Sequence, residues 1–145
     1  PDDQGDPAVF RMARNPILGK LLEFLTPKAF IKKNMKQVYF DDNKVSDELV
    51  TRYHEMALRA GNRVAFRKRA HVINPDITEK LQQIVAPTLI LWGAEDEWIP
   101  IENAYIFEEK IPKTTLYIIE NVGHVPMEEN PEASAELVRQ FLMTY

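Results

Sequence analysis

Through the first 75 residues, apolar positions recur at helical spacing and polar ones fill the gaps. "PILGKLLEFL" carries this rhythm and opens with Pro16, whose fixed φ and missing N–H suit a first helical position. "PKAFIKKNMKQVYF" repeats the pattern from Pro27. "SDELVTRYHEMALRAG" begins with Ser46 as cap, puts Asp47 and Glu48 where the helix dipole favours acids, and closes at Gly61. "NRVAFRKRAHVI" is a further helix, stopped by Asn74-Pro75. The one strand-like hint in this half is a weak "QVYF".

After residue 75 the rhythm changes. "DITEKLQQI" predicts a short helix or turn, and Pro87 then introduces "TLILW", an apolar run without polar alternation. Such a run suggests a strand buried on both faces. "IENAYIFEEKI" returns to helical spacing and ends before Pro112, "TTLYIIE" is a second strand, and "NPEASAELVRQFLMTY" a last helix capped by Asn130 with Pro131 first. Strand, helix, strand, helix is the repeat of a parallel sheet covered by helices, so the fold class is α/β with an incomplete parallel sheet. Two parallel strands form no stable sheet alone, because outer backbone groups and apolar faces need cover. The remaining strands are expected from another chain or an N-terminal segment. The expected division is a mainly helical domain over 1–75 and a sheet edge over 76–145.

Composition narrows the function classes. With 145 residues, 45% hydrophobic and 28% charged, the chain suits one soluble globular core. It has no cysteine, which excludes disulfide and thiolate chemistry. No run approaches a membrane span and no signal segment opens the chain, so no membrane partner is expected and the expected location is cytoplasmic. The first residue is Pro1 rather than methionine, an expectation of processing or truncation. The net charge of −4 conceals a split of +5 over residues 1–75 and −9 over 76–145. "RVAFRKRAH" is a short basic cluster that reads as a solvated helix face, so nucleic acid is not expected as a partner.

Chemistry concentrates in two loops. In open parallel sheets ligands gather at the carboxyl ends of strands. "GAEDEWIP" follows the first strand and "NVGHVP" the second, which brings acids and His124 together although Asp96 and His124 are 28 positions apart. A carboxylate beside an imidazole orients the ring and stabilises its charged form. Spacing alone does not choose among Glu95, Asp96 and Glu97, and helix-capping or turn roles account for the same residues. Trp98 and Val125 follow the acid and the histidine closely enough to line an apolar part of a pocket, while packing explains Trp98 equally well. His54 and His71 lie in helical stretches with no second imidazole at ligand spacing, so neither a metal nor another cofactor is expected.

These stretches resemble the α/β-hydrolase superfamily. "PTLILWGAEDEWIP" is similar to its seventh strand and acid loop, with Gly93, Asp96 and Pro100 on the G-x-x-D-x-x-(V/I)-P pattern, and "GHVPMEENPE" to its histidine loop and the start of its last helix. Acid precedes histidine, as in the family. The resemblance implies that Asp96 is the acid and His124 the base of a triad. Over residues 1–75 the helices resemble the family's cap, and "VSDELVTRYHEMALRAGNRVAF" is similar to caps of the carbon–carbon bond hydrolase and esterase subgroup.

The family's G-x-S-x-G nucleophile elbow is absent from this sequence. Ser46 is a helix cap and Ser134 lies within the last helix, so neither matches the elbow. The resemblance therefore implies the C-terminal portion of a serine hydrolase, partnered by an N-terminal segment that carries the nucleophile. The implied substrate is a small molecule, either a carboxylic ester or one cleaved at a carbon–carbon bond next to a ketone. An upstream aspartate would instead imply a dehalogenase or epoxide hydrolase, and no nucleophile a non-catalytic receptor or interaction protein.

Overall fold

The structure, a computed structural model, describes residues 7–73 and 75–145. Packing divides the chain into two compact units, Pro1–Lys36 with Val45–Asn74, and Gln37–Lys44 with Pro75–Tyr145. The second unit thus takes in a short segment from the middle of the helical half.

The first unit is helical: α1 (Ala8–Arg14), α2 (Pro16–Phe24), most of α3 (Lys28–Val38), α4 (Asp47–Leu58) and α5 (Asn62–Ala70). The local grammar explains the starts. Asn15 accepts hydrogen bonds from the Ile17 and Leu18 amides ahead of Pro16, and Ser46 Oγ accepts from Leu49 N at 3.1 Å. Gly61 takes φ +86° between α4 and α5, a conformation costly for residues with a Cβ. Gly19 lets α2 lie tightly against α1, since a Cβ there would sit 2.2 Å from Ala13 O. Glu23 is buried and pairs with Lys20 and Arg67, which hold its carboxyl below the usual range. Val9, Ala13, Met35, Val45, Val50 and Ala70 form the buried apolar set here.

"QVYF" is not a strand. Gln37 and Val38 end α3, and Tyr39 and Phe40 follow in irregular backbone within the second unit.

The second unit holds a 3₁₀ turn (Thr78–Gln83), β1 (Thr88–Gly93), α6 (Glu102–Lys110), β2 (Thr114–Ile119), α7 (Pro126–Glu129) and α8 (Pro131–Thr144). The strands pair in parallel from Thr88↔Thr114 to Gly93↔Ile119. The expectation of strands buried on both faces does not hold, because only Gly93 and Ile119 are buried. The reason is the size of the sheet. Among the described residues it has two strands, with α6, α7 and α8 packed on them, so edges and part of the faces stay open. Asn130 caps α8, its side chain accepting from Ala133 N at 3.2 Å. Among the described residues no helix is long and apolar enough to cross a membrane.

Candidate active site

Both loops leave the carboxyl ends of their strands and lace together at once. Ala94 N donates to Ile119 O at 3.0 Å and Glu95 N to Val122 O at 3.1 Å. Glu95 returns the contact, its Oε2 accepting from Val122 N at 3.0 Å. Gly93 makes this approach possible, since a Cβ would meet Gly123 O at 2.0 Å and Val122 O at 2.2 Å. Beyond β2 the chain turns at Asn121, φ 57°, in the left-handed region asparagine tolerates.

Asp96 is held by its own turn. Its Oδ1 accepts from Trp98 N at 2.8 Å and from Ile99 N at 3.0 Å. That leaves Oδ2 for His124 Nδ1, 2.8 Å away. A carboxylate is an acceptor, so the shared proton belongs to Nδ1, which in the neutral ring leaves the lone pair on Nε2. The acid side chain is 5% exposed and the imidazole 29%, so the carboxylate is enclosed while the ring remains reachable. The Trp98 ring lies against the imidazole, centroids 5.5 Å apart and tilted by 35°. Val125 is half-buried and its carbonyl starts α7, accepting from Glu128 N and Glu129 N at 2.9 Å each. Glu97 is exposed.

The remaining candidates lie elsewhere. Ser46 Oγ is engaged at its cap and Ser134 is buried on α8. His54 Nε2 meets Thr26 O and His71 Nδ1 meets Arg67 O, each at 2.8 Å. Among the described residues no three His, Asp or Glu side chains are grouped to hold a metal ion.

Sequence reasoning missed a buried carboxylate beneath the histidine loop. Glu129, 3% exposed, accepts from Gly123 N at 2.7 Å, Asp41 N at 2.8 Å and Phe40 N at 3.2 Å. Lys44 Nζ donates to its backbone oxygen at 2.7 Å, and Tyr39 Oη donates to Glu128 Oε2 at 2.7 Å. His124 N itself donates to Val38 O at 2.8 Å. The available signal was Pro126, whose place after the loop permits the extra helical turn that folds Glu129 back.

A family model described as alpha/beta hydrolase fold matches residues 11–131. The chain belongs to the α/β-hydrolase fold family. Among similar proteins, a 2-hydroxy-6-oxononadienedioate/2-hydroxy-6-oxononatrienedioate hydrolase of Pseudomonas putida is 31% identical over 77% of this chain and 41% of its own. The solved structure of a serine hydrolase involved in carbazole degradation is 25% identical, with a TM-score of 0.73 over 86% of this chain and 50% of its own. An esterase from Thermogutta terrifontis shares the fold at 23% identity, TM-score 0.72, over 96% of this chain and 51% of its own. This α/β-hydrolase chain thus spans 41–51% of the length of these relatives.

Proposed function

We propose that this chain supplies the acid and the base of a serine hydrolase, with Asp96 orienting His124 and the nucleophile borne on a segment that precedes it in the complete protein. The observation that carries this reading is the His124 Nδ1–Asp96 Oδ2 bond at 2.8 Å, where two parallel strands end. It directs Nε2, the nitrogen not engaged by Asp96, to take a proton from the serine. In the ester reaction, serine Oγ attacks the carbonyl carbon and its proton passes to Nε2. The imidazolium protonates the departing alcohol, and the neutral ring then activates water to free the acid. The carbon–carbon reaction cleaves beside a ketone in a vinylogous diketo acid and requires proton delivery to carbon. The Pseudomonas putida relative, named as a hydrolase of 2-hydroxy-6-oxononadienedioate and 2-hydroxy-6-oxononatrienedioate, favours this second substrate class. Trp98 and Val125 supply apolar wall beside the base, residues 1–75 play the part of the family's cap, and the enzyme works in the cytoplasm on a small molecule.

The test uses the full-length enzyme with activated esters and vinylogous diketo acids. His124→Ala is expected to lower kcat by at least ~1000-fold, and His124→Ala/Asp96→Ala to cost nearly the same because the pair acts as a unit. A folded His124→Ala variant within twofold of wild type removes the assignment.

A further inference from the structure

We propose that Glu129 is the positioning residue for His124, an inference that rests on reading His124 as the base. The Asp96 bond constrains the ring, but the ring's place also depends on where its backbone is tied. Two ties flank that backbone: His124 N on Val38 O at 2.8 Å, and the preceding amide, Gly123 N, on Glu129 Oε2 at 2.7 Å. The same carboxylate takes the Phe40 and Asp41 amides, so it fastens the segment carrying Val38 to the loop carrying His124. All three donors are backbone N–H groups, which an acceptor-only carboxylate satisfies without a side-chain partner. Space at the junction is already filled, as a Cβ on Gly123 would sit 2.4 Å from Val38 O. Glu129 closes the short helix α7, is 3% exposed, and reaches the Gly123 amide six positions earlier. Glu129 touches neither Asp96 nor the imidazole in this network; it acts through the backbone.

Replacement by glutamine keeps one oxygen, enough for Gly123 N and Phe40 N, but turns an NH₂ toward Asp41 N. Alanine releases all three amides. In the full-length enzyme, Glu129→Ala is expected to lower kcat ~100-fold and Glu129→Gln ~10-fold, with KM within ~3-fold, since displacing a reacting group by ~1 Å costs about that much. Histidine-labelled enzyme provides the decisive readout, well below the melting temperature. The low-field proton resonance of His124 Nδ1–H should weaken and move upfield in both variants. Tyr39→Phe loosens the same segment without touching the Gly123 amide and should leave kcat and the resonance near wild type. A folded Glu129→Ala with wild-type resonance and kcat overturns the proposal, as does Tyr39→Phe reproducing its losses. If the alanine variant fails to fold, the glutamine variant decides by the same two readouts. Should His124→Ala retain turnover, the base assignment falls, and the resonance still decides whether Glu129 positions the ring.

Discussion

Gly123→Ala puts a single methyl group at the tightest point beneath the histidine loop. The added Cβ would lie 2.4 Å from Val38 O, 2.9 Å from Phe40 N and 3.2 Å from the Tyr39 carbonyl carbon. Ordinary contact begins near 3.4 Å, so the largest shortfall is about 1 Å, against backbone with no flexible side chain to swing aside. Overpacking of this kind costs about 1–3 kcal/mol. If the clash is relieved by parting the loop from residues 38–41, the Gly123 N–Glu129 bond weakens as well, and a hydrogen bond to a charged group contributes about 1.5–3 kcal/mol. The expected loss is therefore about 1–3 kcal/mol of unfolding free energy if the strain is absorbed in place and up to about 6 kcal/mol if the Glu129 bond is lost too, read from the urea midpoint of the full-length enzyme at unchanged slope. Turnover should fall with it, because relief moves His124 relative to Asp96. A variant that keeps both its midpoint and its kcat would refute the close approach on which this argument stands.

Glu23→Gln tests electrostatics in the helical unit. The hydrogen bond from Lys20, then that from Arg67, depresses the carboxyl below its ordinary 4.5, so its contribution is present above that value and lost as pH falls through the lower folded one. Urea titrations between pH 6 and 3 should show less acid destabilisation in the variant than in wild type; identical pH profiles would contradict it. Expressed alone, the 145-residue chain should hydrolyse neither activated esters nor diketo acids and should bind an apolar dye, because its sheet leaves edges and faces open. Specific, His124-dependent turnover by the isolated chain would overturn the proposal that the nucleophile lies elsewhere.

Local rules made much of this molecule legible from residue order. Pro16, Ser46 with its two following acids, and Asn130-Pro131 mark helix starts because first-turn proline and capping act over three or four residues. The runs "TLILW" and "TLYII" announce strands because unbroken apolar stretches of that length suit a covered sheet, and their parallel pairing follows from the helix between them. Spacing brings the acids of "GAEDEWIP" and His124 to one end of the strands, and the resemblance to the family's acid loop picks Asp96 among them. Contacts between distant segments obey no such short-range rule. Nothing near residue 40 signals that its amides will close on a carboxylate 89 positions later, and nothing in "MEEN" says which glutamate turns inward. Glu128 and Glu129 are adjacent and chemically alike, yet one is exposed and the other buried. Their difference arises because α7 rotates successive side chains by about 100°, and only one direction meets three unsatisfied backbone N–H groups.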